Sequence, residues 1–394
     1  MRLTHCVATA AAVVFLLTLS YLAVLQERGP ARIETEVQGN IPATLYLPRA
    51  LDPYRHVTAP APGERPPVVV LVHGYSGDRV IMSTLARRLV RAGYAVLAID
   101  LRGHGENRNP FLAPFGTSGS LDSDVKAAVD YVRDLPAVDG SRVVVMGHSM
   151  GAEAVLSYAS EDPKLKGAVM ISGGFYIDPS KRPPNALFIF AQNDPDFIRQ
   201  TSQQIAAILA GVDKTGLGKT YGDLKTGNAV QAVEVPGVGH IRIVLSADAA
   251  QRIIGWLDGA FGTRRDSPPS LDEPRLRVTA IATLLSLVLL VVIGRIVGSI
   301  APSWPRGTAG VGGVFGLLAL AIALFAAMPL VATHPPAWFL SIEVGDVVNS
   351  WLWVAGIIML AGLAFRQYLD WPMIVQNGWT ALFAAAIGFS AIYI

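Results

Sequence analysis

The chain has 394 residues, enough for two domains, and 52% of them are hydrophobic, more than a soluble domain requires. A formal net charge of only +2 excludes a global field that would recruit nucleic acid or another polyanion. The single cysteine, Cys6, excludes an internal disulfide framework and leaves the redox compartment open.

The apolar excess is uneven, lying at the N-terminus and after Arg277. Val7–Leu25 is uncharged and close to the ~20 residues that span a bilayer. Arg2 precedes this run, as in a signal peptide, but no small-x-small cleavage site precedes Gln26. Residues 1–26 therefore read as an uncleaved anchor helix. Cys6 enters that helix as a small apolar residue, with palmitoylation the alternative.

Soluble patterning begins at Ile33 and includes the edge-strand string Leu45-Tyr46-Leu47-Pro48. Asp52 to Pro67, with Pro53, Pro60, Pro62 and Pro66 between, reads as a surface loop. Pro67–Val72 is an all-apolar strand suited to the centre of a parallel sheet, and it runs into His73-Gly74-Tyr75-Ser76-Gly77. An amphipathic helix over 80–92, a strand over 94–99 and the turn Asp100-Leu101-Arg102-Gly103-His104-Gly105 follow. Val143–Met146 is a further buried strand. It leads into Gly147-His148-Ser149-Met150-Gly151, a Gly-x-Ser-x-Gly elbow that lifts a serine out of a sharp strand-to-helix turn.

Residues 172–184 are too short a connection for a helical lid. A strand over 186–191 leads into Gln192-Asn193-Asp194-Pro195, and an insertion with a helix over 196–209 extends to Ala229. Within it, Asp213 to Thr220 superficially resembles a phosphate-binding loop. Asp213 stands where the first glycine is required, and no buried strand precedes it, so a solvated loop is expected. A strand over 229–235 then feeds Pro236-Gly237-Val238-Gly239-His240, and a helix spans 247–261.

Serine, aspartate and histidine thus stand in that chain order, each after a strand. Residues 33–262 resemble an α/β-hydrolase of the dienelactone hydrolase or serine aminopeptidase type. The matching pieces are Leu45–Pro48, His73-Gly74-Tyr75, Asp100–Gly105, Gly147–Gly151, Asp194 and His240. The resemblance implies a mostly parallel central sheet with flanking helices. It implies Ser149 as nucleophile, His240 as base and Asp194 as the acid that orients it, with Asp196 the competing acid two residues on. The backbone N–H groups of Tyr75 and Met150 would form the oxyanion hole. Asp100 is expected to be structural. His73, His104 and His148 are dispersed and lack ligand spacing, so neither a metal nor another cofactor is expected.

Thr263–Pro274, with Arg264-Arg265-Asp266-Ser267-Pro268-Pro269, reads as an extended linker in the span 263–276. Beyond it, apolar runs at 278–294, 309–332, 347–365 and 373–394 predict a four-helix transmembrane region over 277–394. The last run reaches the C-terminus without a polar tail, so the chain ends at the membrane face or continues in a longer protein. Arg295, Arg306 and Arg366 lie in gaps that alternate with one holding only Glu343 and Asp346. Basic short loops stay cytoplasmic, which predicts a multi-pass protein with its hydrolase domain on the other side. Arg264, Arg265, Arg275 and Arg277 oppose that orientation.

The expected activity is cleavage of an ester, amide or thioester through an acyl-enzyme, on a small-molecule or lipid-like acyl substrate at a bilayer. Acyl transfer by the same triad to a membrane or envelope acceptor is the second reading. A non-catalytic ligand-binding or sensor component is the third.

Overall fold

The computed structural model describes residues 30–38, 40–48, 62–111, 121–175, 177–178, 180–274 and 278. The predicted anchor at 1–26 and the four apolar runs beyond the linker lie outside the described residues, Val278 apart. Gly29–Glu273 forms one compact unit.

Its frame is a nine-stranded sheet in the order β1-β2-β4-β3-β5-β6-β7-β9-β8. The strands are β1 (Ala31–Val37), β2 (Ile41–Leu47), β3 (Pro67–Val72), β4 (Ala95–Ile99), β5 (Asp139–His148), β6 (Gly167–Ile171), β7 (Ala186–Asn193), β8 (Thr220–Tyr221) and β9 (Val230–Gly239). Strands β3, β4, β5, β6, β7 and β9 run parallel, whereas β1, β2 and β8 add antiparallel edges.

The helices are α1 (Ser83–Arg91), α2 (Leu121–Asp134), α3 (Met150–Glu161), α4 (Asp196–Ala210) and α5 (Ala247–Phe261). Because side chains alternate across a strand, the valine-rich β3 feeds two cores. Val68, Val70 and Val72 pack with Val125 and Val129 of α2, Val155 of α3 and Ile205 of α4. Val69 and Leu71 point the other way, to Leu85 and Leu89 of α1 and Ile253 and Leu257 of α5. Burial on both faces is why these strands read as continuous apolar runs.

β3 sits between β4 and β5, so the chain leaves its end in one direction and the end of β5 in the other. That divergence opens a crevice at the carboxyl ends of the strands, where α/β sheets place their sites. Helix α1 starts later than its amphipathic pattern suggests, at Ser83. Asp78 Oδ1 accepts the N–H groups of Val80 and Ile81 (2.9 and 3.0 Å) and makes a separate turn there.

The Pro-rich segment after α5 is attached to the domain. Glu273 is buried against Arg87 Nε (3.0 Å), and the Leu271 and Asp272 carbonyls accept from Arg88 and Arg91 of α1 (2.9 and 2.7 Å). Arg265 forks onto Asp258 of α5, both bonds 2.6 Å, with its guanidinium over the Tyr94 ring. The compact unit extends to Glu273, and three arginines on one face of α1 hold the segment.

Candidate active site

The site is built outward from the end of β5. Ser149 has φ 53° and ψ −116°, outside the regions ordinary side chains favour, and α3 starts at the next residue. Steric room for this turn comes from its glycines. A Cβ on Gly147 would collide with the Gly151 carbonyl, and one on Gly151 with the His73 carbonyl. The Ser149 N–H is fixed on the Ile171 carbonyl at 2.8 Å, tying the elbow to β6.

β9 and β7 deliver the other two groups. His240 Nε2 lies 3.0 Å from Ser149 Oγ, and His240 Nδ1 lies 2.7 Å from Asp194 Oδ1. The second carboxylate oxygen of Asp194 accepts from Ser172 Oγ (2.6 Å) and from the Ala191 N–H (2.7 Å). Burial by itself would raise the Asp194 pKa. The hydrogen bonds from His240, Ser172 and Ala191 outweigh it and hold the group below the ordinary carboxylate range. An ionised Asp194 only accepts, so the His240 proton is assigned to Nδ1, leaving Nε2 to accept from the serine hydroxyl.

Asp196 is not part of this chain. It is exposed and paired with Arg199 on the first turn of α4. Asp100 is buried at the end of β4, where it binds the Arg79 N–H (2.7 Å), the Arg79 guanidinium and the Glu106 N–H (2.9 Å).

Two histidines singled out only as dispersed rings prove to be part of the site's frame. His148 is buried, its ring lies tilted against His240 at 4.8 Å between centroids, and its Nε2 donates a 2.9 Å hydrogen bond to the His240 carbonyl. Burial and the neighbouring His240 push its pKa down to about 4, so it is a neutral donor at pH 7. His73 is fully buried at the end of β3, with both ring nitrogens hydrogen-bonded. Their signal in the sequence is adjacency to the two turns. Among the described residues no three His, Cys, Asp or Glu side chains converge as a metal site.

The turn after β3 lies directly on the elbow. A Cβ on Gly74 would stand 3.0 Å from Ser149 Cβ and 2.8 Å from His148 Nδ1, so the backbone of Gly74 and Tyr75 packs against the serine. Apolar side chains flank the other arm. Phe197, on α4, and Ile241, beside His240, are 61% and 53% exposed, and the Phe197 ring meets Phe175 at 5.9 Å. A separate cleft of about 700 Å³, lined by Arg142, Lys166, Arg182 and Lys225 among others, opens at the amino ends of β5, β6 and β7, away from Ser149.

The segment from Asp213 to Thr220 lies between α4 and the two-residue β8, with no strand before it. It thus lacks the strand–loop–helix setting that aims amides at phosphate.

Comparison with known proteins agrees with this architecture. A family model described as serine aminopeptidase, S33, matches residues 63–205. The quorum-quenching protein AidA of Acinetobacter baumannii is 35% identical over 104 residues, covering 26% of this chain and 34% of that protein. Cutinase 2 of Thermobifida cellulosilytica is 30% identical over 129 residues, 33% of this chain and 43% of the cutinase. Cutinase cut1 of Thermobifida fusca matches at the same identity and length, covering 35% of its own chain. The chain therefore spans well under half the length of the curated relatives it matches. With the fold, these matches make the chain a member of the α/β-hydrolase superfamily.

Proposed function

We propose that this chain is a serine hydrolase acting on a carboxylic ester, with Ser149 as nucleophile, His240 as general base and acid, and Asp194 as the group that orients and stabilises the imidazolium. The observation that carries the reading is the continuous chain Ser149 Oγ–His240–Asp194, at 3.0 and 2.7 Å, beneath a strained elbow. A free serine hydroxyl is a poor nucleophile at neutral pH, and a base within hydrogen-bond reach is what activates it.

In the first half-reaction Ser149 Oγ adds to the carbonyl carbon while its proton passes to His240 Nε2. The carbonyl oxygen becomes an oxyanion facing the N–H groups of Tyr75 and Met150. Collapse of the tetrahedral adduct breaks the bond to the leaving alcohol, which takes the proton from His240. Water then repeats the sequence, adding to the acyl carbon as it gives a proton to His240, and Ser149 Oγ leaves with that proton.

The named cutinases among the relatives favour an ester over an amide or thioester. The exposed Phe197 and Ile241 beside the triad favour an apolar one. An intact Ser–His–Asp chain with its buried supports favours catalysis over a ligand-binding role. In the test, Ser149→Ala folds normally and loses turnover of p-nitrophenyl acetate by several orders of magnitude. Near-full activity in that variant rejects the reading.

The apolar runs at 7–25 and after 277 support a multi-pass membrane protein, and Arg295, Arg306 and Arg366 in the short gaps support a placement of this domain on the non-cytoplasmic side. Among the described residues no helix is long and apolar enough to cross a membrane. With Cys6 replaced, single cysteines at Ser267 and Gly307 decide the orientation. An impermeant maleimide on intact cells labels the first and spares the second, and the reverse pattern places the domain in the cytoplasm.

A further inference from the structure

A backbone N–H that stabilises an oxyanion has no side chain of its own to hold it in direction. The turn after β3 has no regular secondary structure either, so something must stop the Gly74–Tyr75 peptide from rotating. That peptide is one plane, and in a trans peptide the C=O and the following N–H point in opposite directions. Whatever fixes the Gly74 carbonyl therefore aims the Tyr75 N–H.

Two donors meet that carbonyl: His73 Nδ1 at 2.7 Å and the Gly77 N–H at 3.0 Å. His73 Nε2 in turn accepts the Leu101 N–H at 3.0 Å. Because Leu101 donates into Nε2, the ring proton sits on Nδ1, where it bonds Gly74. Five residues on, Arg79 is fastened to Asp100, the neighbour of Leu101, through its N–H and its guanidinium. The guanidinium also reaches Glu106 Oε2 (2.5 Å), and its Nε donates to Thr44 (3.0 Å). The loop bearing Tyr75 is thus latched at both ends to one buried point after β4.

We propose that His73 is a positioning residue that locks the Gly74–Tyr75 peptide plane, so that the Tyr75 N–H stays aimed at the oxyanion formed on Ser149 chemistry. The inference rests on the serine-hydrolase reading above and adds to it a side chain that touches neither substrate nor triad. Burial holds the His73 ring neutral, with its pKa near 3, so both bonds persist across the physiological range. A core histidine of purely structural use would need no particular proton and no particular acceptor; this one has both specified from opposite sides.

The experiment separates the two bonds in the full chain. In His73→Asn the amide nitrogen stands where Nδ1 stood and keeps the Gly74 bond. In His73→Gln the amide reaches the Nε2 position and keeps the Leu101 bond but offers Gly74 nothing. Loss of one oxyanion donor costs about a hundredfold or more in kcat. Accordingly His73→Gln loses about that factor, with KM changed by less than about threefold, and loses affinity for a boronate transition-state analogue by the same factor. His73→Asn loses less than about tenfold in kcat, and the two variants melt alike. Equal losses in both variants, wild-type kcat in His73→Gln, or loss of fold in both overturns the proposal. Ser149→Ala, assayed in parallel, keeps the two claims apart. Turnover persisting there sinks the serine-hydrolase reading, whereas wild-type kcat in His73→Gln sinks only the role of His73.

Discussion

The two arms of the site are held together in opposite ways. The arm from β5, β7 and β9 works through side chains, with Ser149, His240 and Asp194 touching one another directly and only short supports behind them. The arm from β3 and β4 works through main chain. Its supporting side chains, His73, Arg79 and Asp100, are buried and never face the crevice chemistry. Function carried by a side chain can be removed by truncating it. Function carried by a backbone N–H can be disturbed only through what packs against it.

That contrast ranks the expected damage. The largest loss belongs to the side-chain arm: Asp194→Asn leaves the imidazole in the wrong tautomer and lowers kcat by about 10⁴. Asp196→Asn, on an exposed ion pair, changes kcat by less than about twofold, since such pairs contribute little. A reversed ranking moves the acid to Asp196. The main-chain arm is broken sterically. The methyl added in Gly74→Ala meets Ser149 Cβ and His148 Nδ1 at 3.0 and 2.8 Å, so the turn must retreat from the serine. We expect a loss of about a hundredfold in kcat with KM little changed, as for removal of one oxyanion donor. Wild-type kcat in Gly74→Ala means the turn does not contribute at the site.

A further effect falls on stability and joins both arms. His148 supports the His240 carbonyl and His73 the Gly74 carbonyl, and both are held neutral, with pKa values near 4 and 3. Unfolded histidine binds a proton below about pH 6.5. The native state therefore binds fewer protons than the unfolded chain between that pH and about 4. Their contribution is complete above about pH 6.5 and drains away as the pH falls, His148 alone accounting for about 3 kcal/mol by pH 4. Melting temperature against pH checks this, with His148→Gln expected to flatten the acid slope. An unchanged slope in that variant removes His148 from the account.

The sequence was legible where backbone geometry restricts residue choice. Gly147 and Gly151 are there because any side chain would strike the opposing carbonyls, so the elbow can be read from a pentapeptide. Burial on both faces makes β3 and the Val143–Met146 half of β5 unbroken apolar runs, so the crevice between them can be read as well. What could not be read depends on partners distant in sequence. Arg87, Arg88 and Arg91 grip a segment more than 180 residues on. His73 and His148 looked like unrelated rings because each one's use lies in a carbonyl it meets or in an N–H brought from another strand. Nor does the Gly- and Pro-containing turn Pro236–Gly239 announce that β9 continues through it to set His240 beside Ser149.

The central claim is that Ser149 carries the acyl group, and the most direct measurement is peptide mass mapping after reaction with a fluorophosphonate. One adduct per chain is expected, on the peptide containing Gly147–Gly151 and localised to Ser149, with the adduct absent in Ser149→Ala. An adduct on another residue, or equal labelling of the Ser149→Ala protein, would contradict it.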